Sequence, residues 1–416
     1  MNEPTKKGLV PELRFPEFRN AGEWKERKLK QVCDINPKAS VLPDSFIYID
    51  LESVEAGVLL QKKTIQLEGA PSRAQRLLKN GDVIFQMVRP YQKNNYLFRP
   101  IDDFDYVAST GYAQLRAHQS NTYLYQYIHN ERFVDRVLEK CTGSNYPAIN
   151  SSDLAGIRLE IPQLEEQQKI ADCLSSIDEL VTAQAQKVEA LKAHKKGLMQ
   201  QLFPAEGETV PKLRFPEFSG EWEYKSLEDV TKEPISYGIV QAGLHIENGV
   251  PYIKSSDVGG IIDLKKLQCT SNEIHHKYRR SAVHPNDIVF SLRGNIGQMS
   301  IVPEEITEAN LTQGTARISV NTENSTLFVY FQIMSDVVIN HINKKSKGST
   351  FQEISLGELR KISIMVASLA EQQKISACLS SIDDLINAQT QKLATLKTHK
   401  KGLMQQLFPA VDEVAG

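Results

Sequence analysis

Apolar residues in two long stretches of the chain fall on a 3.5-residue seam. In the first, Leu174, Val181, Val188, Lys195 and Leu202 form one column, and Ile170, Ile177, Gln184, Leu191 and Leu198 form the other. In the second, Leu379, Ile386, Leu393, Lys400 and Leu407 alternate with Ile375, Ile382, Gln389, Leu396 and Leu403. A seam held through five heptads is the pattern of helices that pack on one another. Both copies carry the same polar breaks, Gln184/Gln389 and Lys195/Lys400. Isolated polar seam residues fix register at some expense of stability. About 38 residues at 1.5 Å each predict a rod of roughly 57 Å. Gly197 and Gly402 weaken its C-terminal end, and Pro204 and Pro409 stop it.

The two stretches are copies. LEEQQKIADCLSSIDELVTAQAQKVEALKAHKKGLMQQLFPA (164–205) and LAEQQKISACLSSIDDLINAQTQKLATLKTHKKGLMQQLFPA (369–410) agree at 31 of 42 positions without a gap. This is duplication on the scale of a domain, not a solenoid period. Each copy needs a partner for its apolar seam, and the nearest partner is the other copy. With a domain at each end of the rod, the helices must run antiparallel, giving a dumbbell.

Ahead of each helix lies a body of short apolar runs and turn signals. Each is introduced by a lead-in segment, VPELRFPEF (10–18) or VPKLRFPEF (210–218), and then by Trp24 or Trp222. The prolines predict extended anchors that lay Phe and Trp on a domain surface. Phe46–Ile49 and Pro251–Ile253 read as matching first strands. Gly81–Phe85 and Asn286–Phe290 read as turns entering buried strands. Residues 123–140 and 328–345 have helical spacing, which predicts one late helix per body. The fold class is therefore α+β: two similar, mostly antiparallel mixed α/β domains separated by a two-helix antiparallel coiled coil, with approximate internal two-fold symmetry. The expected divisions are 1–163 (first domain), 164–205 (first helix), 206–368 (second domain) and 369–416 (second helix and tail).

Composition narrows the function classes. The formal net charge is −2, so DNA binding requires charges sorted by face or a positive field supplied by partners. No run approaches the 18 apolar residues of a membrane span, and the N-terminus lacks a signal-peptide core. The cytoplasm is the default location, with no membrane partner. Five cysteines, at 33, 141, 173, 269 and 378, form no CxxC pair; they predict packed or partly exposed thiols and no metal site. The chain has no glycine-rich phosphate loop, and Asn36-Pro37-Lys38 is the nearest approach to a methyltransferase motif. His275-His276 is a pair without HExxH, and His194 and His399 are expected on exposed helix faces. No catalytic residue and no cofactor is expected.

The LRFPEF…W lead-in, the Thr142-Gly143-Ser144 and Lys347-Gly348-Ser349 loops, and the EEQQKIA…KKGLMQQLF helix together resemble the specificity subunits of type I restriction-modification systems. The resemblance covers nearly the whole chain, in both halves and in order. It implies two target recognition domains, each reading one half of a bipartite, asymmetric site on double-stranded DNA. The helices would act as the ruler between half-sites and as the docking surface for two methyltransferase subunits, which motor-nuclease subunits then join. The competing reading is a non-catalytic adaptor whose end domains bind proteins.

Base readers are expected in loops after buried strands: Arg89, Tyr91, Gln92, Lys93, Asn94 and Asn95 in the first domain, Arg293 and Asn295 in the second. Arg suits guanine O6/N7, and Asn or Gln suits adenine N6/N7. Ser144, Asn145 and Tyr146, with Ser349, Thr350 and Gln352 opposite, form a second set whose Gly-Ser/Thr loops suit backbone contacts to phosphate. Lys277, Arg279 and Arg280 form a basic cluster, and Lys344, Lys345 and Lys347 another, both suited to phosphate.

Overall fold

A computed structural model of the chain describes residues 9–38, 41–100, 102–239, 241–347 and 352–409. The chain forms two compact units. One comprises Met1–Ala185 with Gln391–Gly416, the other Gln186–Thr390. Each unit thus contains a mixed α/β body and a portion of both long helices, Leu164–Leu202 and Leu369–Leu407.

In the first unit, one sheet runs Lys63–Gln66, Ser45–Ile49, Tyr106–Ser109, Ala74–Leu77. A second runs Cys33–Ile35, Tyr112–Ala117, Val83–Gln86, Tyr96–Leu97. All pairings in these sheets are antiparallel except Ser45–Ile49 with Tyr106–Ser109. The expected strand at Val83 is buried on both faces, as its unbroken apolar run implies. Val83 and Phe85 enter one core and Ile84 another, following the two-residue period of a strand. In the second unit, Ile288 and Phe290 face one core and Val289 the other. A separate ribbon closes each body: Lys25–Lys28 pairs with Arg158–Ile161, and Glu223–Ser226 with Ser363–Val366.

Two expectations need correction. Each body has two short helices where the spacing predicted one. They are Asn121–Tyr127 and Glu131–Leu138 in the first unit, Thr326–Ile333 and Asp336–Lys345 in the second. The break is chemical. Asn130 and Ser335 turn their side-chain oxygens back to accept the amides of Arg132 and Val338, restarting the helix. The lead-in tryptophans are also core residues, not surface anchors. Trp24 and Trp222 are each 3% exposed. Trp24 meets Tyr123 and Phe408 edge-on, and Trp222 packs against Phe203 and Phe328.

The lead-in is clamped to the long helix by a buried arginine. Arg14 donates from Nε and Nη2 to Glu166 at 2.8 and 2.7 Å, and from Nη1 to the Gly22 carbonyl at 2.7 Å. Arg214 holds Glu371 in the same way, with both bonds at 2.8 Å. This fork-to-fork geometry explains the arginine in LRFPEF.

Every seam residue is buried or half-buried. In the first unit, Ile170 and Leu174 share a core with Leu403, Met404 and Leu407. Lys400 Nζ donates to Asp178 at 2.5 Å. Numbers rise along one helix as they fall along the other, so the packing is antiparallel. The second unit repeats this: Leu198, Met199 and Leu202 pack with Ile375 and Leu379, and Lys195 donates to both oxygens of Asp383 at 2.7 Å. The lysine breaks are thus ion-paired to aspartates that are themselves repeat equivalents.

Candidate nucleic-acid interface

Each candidate loop leaves a buried strand whose last residue is polar. Gln86, 3% exposed, ends Val83–Gln86 and ties down the loop that follows. Its Nε2 donates to Gln92 Oε1 at 2.8 Å, and its Oε1 accepts the Asn94 amide at 3.2 Å. In the second unit, fully buried Ser291 occupies the same place and donates to the Arg293 carbonyl at 3.1 Å. Gln86 and Ser291 were not among the sequence candidates. Their signal was a polar side chain ending an otherwise apolar strand.

The structure brings the first unit's two candidate sets together. Thr142 and Ala148 exchange backbone hydrogen bonds, and Ala148 also bridges Val88 beside the strand exit. The Arg89 amide donates to the Pro147 carbonyl at 2.7 Å, and its guanidinium lies 4.2 Å from the centre of the Tyr146 ring. Tyr91 is 49% and Tyr146 63% exposed; Gln92, Ser144 and Asn145 are exposed beside them. Arg89 and Lys93 adopt left-handed backbone, φ +54° and +56°. Such conformations in residues other than glycine persist only where surroundings enforce them. An arginine stacked on tyrosine is pre-oriented while keeping its donors free.

Three candidates in that loop face elsewhere. Asn95 is 1% exposed; its Oδ1 accepts the Gln86 amide at 2.9 Å, so it is a framework residue. Asn94 is half-buried and accepts the Ala56 amide at 3.1 Å. Lys93 turns toward the long helix, donating to the His129 carbonyl at 3.1 Å, and burial lowers its pKa. Half-buried His129 has its pKa pushed down to about 4 by desolvation.

The second unit builds the same hairpin with different residues. Lys347 and Glu353 exchange backbone bonds at 2.9 Å, and Ile354 donates to the Leu292 carbonyl. Arg293 pairs with Glu353 at 2.8 Å, both about half exposed. Such a pair contributes little net stability, leaving the guanidinium exchangeable. Gly294, φ +75°, stands where Arg89 stands in the first unit. Asn295, Lys347 and Gln352 are exposed. Ser349 and Thr350 lie outside the described residues. Lys277, Arg279 and Arg280 are exposed on another element, the helix Asn272–Lys277 and the turn after it. Lys344 and Lys345 are exposed at the end of Asp336–Lys345, where Lys345 pairs with Glu358. His194 and His399 are exposed, and all five cysteines are free. Among the described residues no His/Cys/Asp/Glu cluster could hold a metal, and no helix is long and apolar enough to cross a membrane.

A sequence model of the type I restriction modification DNA specificity domain matches residues 21–193 and again 219–398. The chain belongs to this family. The match falls twice, once for each body with most of the helix that follows it. Relatives include a putative type I restriction enzyme specificity subunit (MjaX) of Methanocaldococcus jannaschii, 27% identical over 274 residues, covering 64% of this chain and 61% of that protein. The EcoBI specificity subunit of Escherichia coli is 28% identical over 248 residues, covering 55% and 52%. The chain thus spans between half and two thirds of the length of these relatives. Among solved structures, the type I restriction-modification S subunit from M. genitalium matches with a TM-score of 0.57 at 15% identity, covering 97% of this chain and 100% of that one. A chain from a type I R-M system, solved to explain complex assembly and conformational transition, matches with a TM-score of 0.55 at 20% identity, covering 94% and 98%. These likenesses establish the family fold: two mixed α/β bodies and two long helices packed together.

Proposed function

We propose that the chain is the DNA sequence-specificity subunit of a type I restriction-modification complex. The observation that carries this reading is a contrast between the units. Clamp, tryptophan core, seam and strand–hairpin scaffold recur, whereas the exposed loop residues on that scaffold differ: Arg89 with Tyr146 in one, Arg293 with Glu353 in the other. A shared frame presenting unlike side chains suits the reading of two unlike half-sites.

In the first unit Arg89, Tyr91 and Gln92 read bases, and Ser144, Asn145 and Tyr146 meet bases or phosphate. In the second, Arg293, Asn295 and Gln352 read bases; Lys347, Lys277, Arg279 and Arg280 neutralise phosphate. A bidentate contact of this kind discriminates by about 1–3 kcal/mol per base pair. The chain catalyses nothing itself. Its long helices dock two methyltransferase subunits, which supply the chemistry and are joined by motor-nuclease subunits in the cytoplasm.

The test is genomic. Cells carrying the partner subunits, with and without this chain, have their adenine methylation sequenced. A bipartite motif that appears only with this chain supports the reading; no chain-dependent motif overturns it and favours a protein-binding adaptor.

A further inference from the structure

We propose that a lysine-rimmed hollow beside the C-terminal third of each long helix seats an acidic segment of the methyltransferase subunit, one segment per unit. This rests on the function proposed above and adds the place and chemistry of docking. In the second unit the hollow is about 540 Å³. Its floor includes Met199, Phe203 and Met334; its rim carries Lys192, Lys196 and Lys212. In the first unit the same helix positions, Lys397, Lys401, Met404 and Gln405, line a hollow of about 230 Å³ that Lys93 also enters.

Two observations point to a ligand. The first is identity without burial. Lys192/Lys397 and Lys196/Lys401 are exposed in both copies, so core packing does not hold them; Gln200/Gln405 is also shared, but Gln200 is tied to its own body through Asp336. On the same helix stretch, Glu189/Ala394, Ala190/Thr395 and Ala193/Thr398 have diverged. A surface kept the same in both units suits two copies of one partner.

The second observation is charge. The carboxylates nearby are engaged: Asp336 accepts from Gln200 at 2.8 Å, Glu131 pairs with Lys401, and Asp383 and Asp178 hold Lys195 and Lys400. On the rim Lys192 pairs with Glu189 at 2.8 Å, but among the described residues Lys196, Lys212 and Lys397 have no carboxylate partner, so the rim carries a net positive charge. The floor separates a protein segment from a DNA backbone. Buried Met199 and Phe203 with exposed Met334 offer an adaptable apolar surface, for which phosphate has no counterpart. Apolar side chains flanked by carboxylates match both features.

The test counts methyltransferase copies on the full-length chain by native mass spectrometry. The unaltered chain binds two. The Lys192→Glu/Lys196→Glu and Lys397→Glu/Lys401→Glu variants each bind one, with affinity at the altered unit lowered on the order of a hundredfold by like-charge contact. The four-fold variant binds none, and the corresponding Lys→Arg variants keep two. If a Glu variant fails to fold, judged by its circular dichroism melt, Lys→Gln variants carry the same readout. Two copies on every variant overturns the docking site while leaving the specificity function standing. Weakened non-specific DNA binding with unchanged copy number also overturns it, assigning the lysines to phosphate. No copies on the unaltered chain overturns the specificity reading and this inference together.

Discussion

Replacing Arg14 by Met should release the first unit's lead-in segment. Arg14 is 7% and Glu166 1% exposed at the side chain. Without the guanidinium, the Glu166 carboxylate keeps one donor, Trp24 Nε1 at 3.3 Å. Stranding one member of a buried pair costs about 3–5 kcal/mol. Replacing both members, Arg14→Met with Glu166→Leu, should recover most of that loss, because the desolvation of both charges disappears as well. The chain has two tryptophans, one per unit, so fluorescence can report on each separately. Trp222→Phe leaves Trp24 as the sole tryptophan, and since it opens space in the second unit's core, each variant is compared with that background. Guanidinium unfolding in that background should show the single variant several kcal/mol less stable and the double variant close to the parent. A loss below about 1 kcal/mol for Arg14→Met would refute the view that this pair holds the lead-in in place.

The remaining predictions probe other layers. Burial keeps His129 neutral in the folded chain down to about pH 4, whereas the unfolded chain binds a proton there near pH 6.5. Its contribution is therefore complete above pH 6.5 and is lost as pH falls toward 4, by roughly 3 kcal/mol in total. His129→Gln should flatten that part of the stability–pH curve, and an unchanged slope would reject the assignment. Asn95→Ala should lower stability by about 1–3 kcal/mol, by stranding the Gln86 amide, while leaving the methylated motif intact. Arg89→Ala should relax one base in one half-site with little loss of stability, read from the methylation pattern. Inserting one heptad in both long helices should lengthen the unspecified spacer by about three base pairs, since seven residues add roughly 10 Å; altered half-sites with an unchanged spacer would sink the ruler.

Much of the fold was legible because its signals are periodic. The seam residues are all at least half-buried, and the two-face burial of Val83–Phe85 follows from an unbroken apolar run. The late helices were misread because apolar spacing cannot register a cap: Asn130 and Ser335 act through single hydrogen bonds. The candidate site was legible only as a neighbourhood. The loop after Gln86 holds exposed Tyr91 and Gln92, inward-facing Asn95 and a Lys93 aimed at the helix, and residue type alone cannot sort these directions. Nor could the sequence show that Lys195 and Lys400 meet aspartates, because those contacts join residues 188 and 222 positions apart.

The closing ribbons bear on inheritance. Lys25–Lys28 pairs only with Arg158–Ile161, register Lys25 to Ile161, and neither strand joins another sheet among the described residues. Everything between leaves and returns through two neighbouring backbone strands. A recombination event with its two crossovers in those strands would exchange a whole α/β body as a cassette. The replacement must present two adjacent strand ends and a face that packs on Trp24 and the long helices, as Tyr123 does here, while the clamp outside them, Arg14 with Glu166, would be inherited untouched. On the function proposed above, one such exchange would change target preference while keeping the frame.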